Sequence, residues 1–389
     1  MRIGFDAKRY FHNTTGLGNY SRTLIKGLTL YYPHHEYFLF NTKKSSMFAM
    51  PDQAGIVEVL PQNFLDKKFP SVWRSSRIKK DIEKLKLDLY HGLSHEIPNG
   101  INKIDTRPIV TVHDLIFERY PSQYGTYEVR MHRHKIQYAC RYAHAVIAAS
   151  LQTKIDLIER YGVPENKIEV CYQSCNPAFT IMAPLHLQQE IKKQYKLPDA
   201  FFLYVGSIIE RKNLLGICKA INEVKDVLHL PLVVVGKGGA YQQKVVAYLS
   251  ENNLEGKVIF LSVKKGVSPE LDLNKANNLA ALYQMAKALI YPSYFEGFGI
   301  PVLEALWSCI PVITSNVSSM PEIGEDAVYY VDPSNQSQLA SAMLSLQNDI
   351  ELCKNLAEKG KLQAQKFSLQ LCTDMVMKVY QKVMNHATF

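Results

Sequence analysis

Short apolar runs rich in β-branched residues recur along the chain, and between them apolar and polar positions follow a helical spacing. The runs lie at 108–112, 145–149, 201–205, 232–235, 258–261, 288–291 and 311–314. Unbroken apolar character over four or five residues marks a strand covered on both faces. Alternation with amphipathic segments then predicts α/β architecture, with parallel sheets and helices on both sides. Helices are expected at 214–226, 279–287 and 336–347, and one amphipathic helix over about 367–389 follows the last strand. The stretch 172–200 is the least periodic: it holds Gln173-Ser174-Cys175-Asn176-Pro177 and, after a charged helix former, Leu197-Pro198-Asp199. A domain boundary belongs there, between 175 and 176.

Length agrees with that division, since 389 residues exceed the usual size of one domain. A chain that is 47% hydrophobic and 21% charged is neither fibrous nor disordered. Its seven cysteines form an odd set without regular spacing, which fits reduced thiols better than a disulfide framework or a zinc site. The sequence enters a strand at Arg2 without a signal-like apolar stretch, and no run of about 18 apolar residues follows. A cytoplasmic or peripheral protein is expected. The formal charge of +9 suits nucleic acid, anionic lipid or a phosphorylated substrate without choosing among them. Lys67, Lys68, Arg74, Arg77, Lys79, Lys80, Lys84 and Lys86 share one stretch with Phe64, Phe69, Val72, Trp73, Ile78 and Ile82. This is either a solvated helix face or a surface for an anionic membrane.

In doubly wound sheets ligands bind beyond the carboxyl ends of the strands, so the residues that end each run are the candidates for chemistry. The run 109–112 ends in His113-Asp114, and 201–205 in Gly206. The run 288–291 leads into Glu296-Gly297-Phe298-Gly299-Ile300-Pro301-Val302-Leu303-Glu304. Glycines let backbone approach a ligand, and Pro301 suits the first turn of a helix whose N–H groups and dipole favour an anion. Glu304 is either a ligand-gripping carboxylate or a helix-start residue answering the dipole. After Gly206, Glu210-Arg211-Lys212 precedes a helix for which Asn213 is a good N-cap. Two cations stand where the dipole disfavours them, a conflict that a bound diphosphate would resolve. Near the N-terminus, Thr15-Gly16-Leu17-Gly18 joins a strand to a helix, either as a phosphate cradle or as a plain turn. His113 is a cleft residue or a core histidine, and His91, His95 and Glu96 are weaker candidates for the acceptor side.

With these residues assembled, the chain resembles the retaining glycosyltransferases of family four over nearly its whole length. The likeness is carried by Glu296 through Glu304, which matches that family's Glu, seven residues, Glu signature. Gly206 with Glu210-Arg211-Lys212-Asn213, Thr111-Val112-His113-Asp114-Leu115, Thr15-Gly16-Leu17-Gly18 and Asn316-Val317-Ser318-Ser319-Met320-Pro321-Glu322 support it. The resemblance implies a GT-B arrangement, two Rossmann-like domains facing across a cleft. The final helix returns to the first domain, giving 1–175 plus 367–389 on the acceptor side and 176–366 on the nucleotide-sugar side. It implies that Arg211 and Lys212 neutralise the donor diphosphate, which Gly16 and Gly18 approach from the first domain, with Gly206 beside it. Glu296 would hold the donor sugar with backbone around Gly297, Phe298 and Gly299, Glu304 the ribose, and His113 the transferred sugar. Three departures are Cys309 in place of a helix-ending glycine, Gln173-Ser174-Cys175-Asn176 in the linker, and Leu271-Asp272-Leu273-Asn274 in the base-binding wall.

The expected activity is transfer of a hexosyl group, mannose by likeness to polysaccharide mannosyltransferases, from a nucleoside-diphosphate sugar to a glycan or lipid-linked glycan hydroxyl. The donor is a co-substrate, GDP-mannose or a UDP-sugar, and no cofactor, metal or nucleic acid is expected. Clustered aspartates that could hold magnesium are missing from the motifs. Alternatives on the same fold are a sugar-nucleotide epimerase, a phosphorylase, or a catalytically silent nucleotide-binding scaffold.

Overall fold

A computed structural model describes residues 1–51, 55–261 and 268–385. The chain divides into two compact units, Met1–Ser174 together with the chain from Ser368, and Cys175–Phe367. Each is built on its own parallel sheet, because each set of β-branched runs needs helices on both faces to leave water.

In the first unit, strands β1 (Arg2–Asp6), β2 (Glu36–Phe40), β3 (Ile56–Val59), β4 (Leu89–Gly92), β5 (Arg107–Val112), β6 (Ala145–Ala148) and β7 (Ile168–Val170) run in the order β3-β2-β1-β4-β5-β6-β7. The order reverses between β1 and β4, where Gly4 lies opposite Tyr90. A Cβ on Gly4 would fall 2.5 Å from the Leu87 side chain and 3.0 Å from the Phe40 ring, so glycine lets these side chains close over the strand. One face of the sheet packs around Phe5, Ile25, Leu39, Ile109 and Ile147, closed by Val376, Met377 and Tyr380 of the Leu369–Asn385 helix. The opposite face packs around Trp73, Ile78, Ile82, Val110 and Ile136.

In the second unit, β8 (Phe202–Val205), β9 (Leu232–Val235), β10 (Val258–Phe260), β11 (Ala288–Tyr291), β12 (Val312–Ser315) and β13 (Tyr329–Val331) run in the order β10-β9-β8-β11-β12-β13. This sheet reverses between β8 and β11, where Leu203 pairs with Leu289. Its core gathers Tyr204, Ile217, Leu232, Val234, Ile290, Ile313 and Met343, all fully buried. The apolar runs read from sequence thus lie in strands, and the helices form at Leu214–Glu223, Ala276–Met285, Gln336–Asn348 and Leu369–Asn385. Residues 386–389 of the expected last helix lie outside the described residues. Cys309 has φ +56°, the left-handed conformation expected of a helix-ending glycine, which costs a residue with a Cβ about 1 kcal/mol.

Two local expectations are corrected. Gly16 and Gly18 sit inside the first turn of the Gly16–Tyr31 helix, after a short Lys8–His12 helix, and not in a loop joining strand to helix. Thr15 precedes that helix in extended conformation. Asn213 starts the Leu214–Glu223 helix without capping it: its φ is +59°, and its amide donates to Pro333 O at 2.7 Å and Pro292 O at 3.3 Å. A left-handed turn, which asparagine tolerates well, replaced the extended backbone a cap requires.

Candidate functional site

The reversal point of the second sheet carries a buried cluster of charge. The Glu210–Lys212 turn follows β8, and the loop after β11 brings Glu296 to it. Glu296 Oε1 lies 2.9 Å from Arg211 Nη1 and 2.9 Å from Lys212 Nζ, and it accepts at 2.9 Å from the Tyr291 hydroxyl. Lys212 also donates to the Tyr291 hydroxyl and stands over its ring at 4.7 Å. Arg211 donates to Phe295 O. Backbone bonds close the loop, with Tyr294 N donating to Arg211 O at 2.8 Å.

Burial makes this cluster energetically consequential. Arg211 and Glu296 are 7% and 8% exposed, so their charges are weakly screened. Burial pushes the Glu296 carboxyl up, but Lys212 and Arg211 outweigh it and hold the group at about 2. Burial lowers the Lys212 ammonium from its ordinary range, with Arg211 adding to the fall and Glu296 opposing it. Within the buried cluster two cations face one carboxylate, a surplus of one positive charge, while the exposed Glu210 opens the same turn.

The loop is shaped by its hydroxyls and glycines. Ser318 Oγ accepts from Glu296 N at 3.0 Å, and Ser319 Oγ donates to Glu296 O at 3.0 Å and Phe298 O at 2.5 Å. Gly299 has φ +126°, and a side chain there would meet Met320 Cε at 2.5 Å. Gly206 has φ +151° and faces the Lys212 side chain. Gly297 is buried with its neighbours, and the Phe298 ring meets Phe367 edge-on at 5.9 Å. The Ile300–Trp307 helix begins directly after this loop with Pro301 in its first turn, so its N-terminus belongs to the site.

Glu304 lies in that helix, 7% exposed, and accepts from Tyr283 at 2.9 Å. Burial raises its carboxyl to about 8, against the lowering effect of the Tyr283 bond. At neutral pH it is largely protonated, able to donate as well as accept. Glu296 and Glu304 therefore face different partners despite their short separation in sequence.

His113 belongs to the first unit, at the end of β5. Its Nε2 lies 2.9 Å from Leu93 O and its Nδ1 3.0 Å from the Gln173 amide. Tyr20 meets the ring edge-on at 4.6 Å, and His95 stacks at 5.4 Å. Burial, then His95, lowers its pKa to about 3, so the ring is neutral. Both ring nitrogens are already engaged. His91 is wholly internal, bonded to Tyr380 at 2.6 Å and Thr111 at 2.7 Å, and is a core histidine, not a lining one. In the same unit Gly18 N donates to Asn13 Oδ1 at 3.1 Å and Thr15 O at 3.0 Å. A Cβ on Gly18 would fall 1.9 Å from Asn13 O, whereas Gly16 faces open space.

The structure thus brings Arg211, Lys212, Gly206, Glu296, Gly297, Phe298, Gly299 and Glu304 into one unit, and His113, Gly16 and Gly18 into the other. Sequence reasoning missed Tyr291, Tyr283, Ser318 and Ser319 as site residues. Tyr291 was counted only as strand, though a tyrosine as the last residue of a buried run signals a hydroxyl aimed at the strand ends. Among the described residues no group of His, Cys, Asp and Glu is arranged to hold a metal ion, and the cysteines are free thiols.

The basic stretch resolves into two populations. Trp73, Ile78 and Ile82 are core residues, and Arg74 and Arg77 are paired, with Asp6 and Glu96 and with Asp66. Of the two readings, a solvated helix face or a membrane surface, neither holds for Trp73, Ile78 and Ile82, which are buried, while Arg74 and Arg77 are held in ion pairs. Phe64, Leu65, Phe69 and Val72 remain exposed, beside the exposed Lys67 and Lys68. Among the described residues no helix is long and apolar enough to cross a membrane.

Residues 188–363 match the family of Glycosyl transferases group 1, and residues 14–179 match Glycosyltransferase Family 4. O-antigen chain mannosyltransferase B of Escherichia coli is 24% identical over 393 residues, covering 98% of this chain and 100% of that protein. Among solved structures, sucrose-phosphate synthase from Thermosynechococcus elongatus superposes with a TM-score of 0.76 at 19% identity, covering 100% of both chains. Anabaena HepE in complex with UDP and glucose gives 0.73 at 16% identity, covering 98% of this chain and 99% of that one. The fold is that of the GT-B glycosyltransferases, and the chain belongs to the glycosyltransferases, with both family matches in tandem.

Proposed function

We propose that this glycosyltransferase moves a hexosyl group, mannose in our reading, from a nucleoside-diphosphate sugar to a hydroxyl of a growing glycan, with retention of anomeric configuration. The observation that carries the reading is the buried Arg211–Lys212–Glu296–Tyr291 cluster with its surplus positive charge. Mannose and GDP-mannose are favoured by the similarity to an O-antigen mannosyltransferase over its full length, and a UDP-sugar by the UDP held in HepE, whose fold this chain shares.

In this mechanism the donor diphosphate takes Arg211 and Lys212 as counter-ions, facing the N-terminus of the Ile300–Trp307 helix. The leaving phosphate gains charge as the glycosidic bond breaks, and preorganised cations in a dry site stabilise that charge most when it is largest. Glu296, held rigid by Tyr291, accepts from donor-sugar hydroxyls, and the protonated Glu304 engages the ribose. The acceptor proton passes to the departing phosphate, so no side chain has to become a covalent nucleophile. No metal is required, because the two cations carry the leaving-group charge.

The exposed Phe64, Leu65, Phe69 and Val72 with Lys67 and Lys68 suit reversible contact with an anionic bilayer, apolar side chains entering beneath a screened positive rim. That surface would bring the enzyme to a lipid-linked acceptor on the cytoplasmic side. Thermal shift with UDP, GDP and ADP, followed by the matching sugar nucleotides and an acceptor assay, tests the reading. A bound nucleotide raises apparent stability by mass action. Stabilisation by none of the three removes the proposal.

A further inference from the structure

Each carboxyl of the Glu296–Glu304 segment has one oxygen held by a buried tyrosine. Tyr291 donates to Glu296 Oε1 at 2.9 Å, and Tyr283 donates to Glu304 Oε2 at 2.9 Å. The settings differ in charge. Glu296 also faces Arg211 and Lys212, whereas among the described residues the Glu304 carboxyl has no cation and no hydrogen-bond partner but Tyr283. Tyr283 is wholly buried on the Ala276–Met285 helix, and its ring meets the buried Phe179 edge-on at 5.4 Å. That ring cannot swing away without opening the core, so its hydroxyl is a fixed donor.

This setting decides the form of the Glu304 carboxyl. A buried carboxylate with a single neutral donor is poorly compensated. The helix dipole is felt mainly in the first turn, and Glu304 stands fifth in the Ile300–Trp307 helix. The carboxyl therefore keeps a proton, in line with its raised pKa, for which burial is the cause and the Tyr283 bond the opposing influence. Titratable groups on the elements packed here include Tyr291 of β11, Cys175 of the linker and Glu322 of the Met320–Gly324 helix. Lys354 and Lys359 of the Ile350–Gln365 helix are exposed and paired with Glu351 and Asp326. Tyr283 also selects where the proton sits. The carbonyl oxygen of a carboxylic acid is its better acceptor, so Oε2, which accepts from Tyr283, takes that role and the proton falls to Oε1.

We propose that Tyr283 is a positioning residue of the nucleotide site: by holding Glu304 Oε2 it turns Oε1 and its proton to the ribose, so that Glu304 recognises the nucleotide as a hydrogen-bond donor. The inference rests on the proposed reading of Glu304 as the ribose contact, and it adds the residue that orients this contact and the form in which it binds. A nucleoside diphosphate closing over Glu304 removes the 7% exposure that remains to it and brings further negative charge into the same unit. A neutral acid meets both conditions without penalty, and a carboxylate meets neither. Affinity should thus be complete below pH 8 and decline above it, as the Glu304 proton is lost.

The test is calorimetric titration of the full chain with UDP and with GDP between pH 7 and pH 9. Wild-type binding should weaken roughly tenfold over this range, the linkage expected of one required proton. Glu304→Gln carries a donor at every pH, with its amide oxygen accepting from Tyr283. It should bind as tightly as wild type at pH 7 and lose most of the pH dependence; any remainder belongs to the bases and to Lys212, which both proteins share. Tyr283→Phe keeps the ring against Phe179 but frees Oε2. It should bind about threefold to tenfold more weakly at pH 7, the scale of one neutral hydrogen bond, and its decline should move to higher pH because the bond that lowered the Glu304 pKa is gone. Thermal unfolding at pH 7 shows that both variants fold. A Glu304→Gln variant with the wild-type pH dependence, or one that binds as weakly as Glu304→Ala, overturns the proposal, and so does a Tyr283→Phe profile that coincides with wild type. In each of those cases the wild type still binds nucleotide and the transferase reading stands. Binding of neither nucleotide at any pH removes that reading and this role together.

Discussion

Replacing Glu296 by glutamine removes one negative charge from the centre of the cluster while keeping its shape. The folded carboxyl titrates at about 2 against an ordinary 4.5. At about 1.4 kcal/mol for each tenfold change in proton affinity, that difference represents roughly 3 kcal/mol of stabilisation of the ionised form. A neutral amide recovers about 1 kcal/mol as an ordinary acceptor, so the variant should lose about 2 kcal/mol. For a unit of this size each kcal/mol moves the midpoint by about 2–4 °C, giving a fall of roughly 4–8 °C in the second unit's transition. The sign with pH follows from the depressed pKa: the contribution is complete above 4.5 and disappears as pH falls through about 2. Calorimetry should therefore show the gap between wild type and variant at pH 7.5 and its narrowing below pH 4.5. Added nucleotide should rescue the variant, because the diphosphate supplies the missing counter-charge to Lys212 and Arg211. Transfer should nonetheless fall at least about 100-fold, since the sugar has lost its acceptor. Equal midpoints at pH 7.5, together with wild-type turnover, would refute the reasoning at its root.

Other outcomes are as definite. Arg211→Ala and Lys212→Ala should each weaken diphosphate binding about tenfold to a hundredfold, the scale of a lost charge-assisted contact of roughly 1.5–3 kcal/mol, while the bare nucleoside binds as before in calorimetric titration. Activity should persist in EDTA, and complete loss restored by magnesium or manganese would transfer the leaving-group role from these side chains to a metal. Glu304 has its pKa raised to about 8, so its contribution is present below 4.5 and lost as pH rises through 8. Glu304→Gln should accordingly gain stability on the wild type at pH 9 and show no gain at pH 4, whereas Glu304→Ala should bind free nucleotide more weakly. Flotation with anionic vesicles should retain the wild type at low salt and release it at high salt, and Phe69→Ser with Lys68→Ser should float less.

Strand positions were legible because buried parallel strands carry their signal in a few adjacent β-branched residues, as at 232–235 and 288–291. The strands at Glu36–Phe40 and Tyr329–Val331 escaped because tyrosine, phenylalanine and flanking charge blur the same signal. Cationic and acidic members of the candidate cluster were visible as residues ending those runs. Their partners were not, since Tyr291 meets Lys212 across 79 positions of chain and Ser318 meets Glu296 across 22, by bonds that no local pattern encodes. Burial was the least legible quantity: Arg74 and Trp73 read as surface from a basic stretch, yet a π-helical turn puts one into an ion pair and the other into the core. His113 was ambiguous for the same reason, and the bonds to Leu93 and Gln173 show how fully its surroundings enclose it.

The return of the Leu369–Asn385 helix to the first sheet has a consequence for how the molecule is made. Val376, Met377 and Tyr380 fill one face of that core, and the buried His91 has Tyr380 as the partner of one ring nitrogen. During synthesis all of β1 to β7 leaves the ribosome with this face only partly covered, by the Gly16–Tyr31 helix, before the last helix is made. The amino-terminal half therefore waits on the carboxyl-terminal end, exposing apolar surface to chaperones for as long as about 190 further residues take to be translated. Cutting the gene after residue 367 would strand that half permanently, and yield of soluble protein should depend more on those seventeen residues than on any loop of the site.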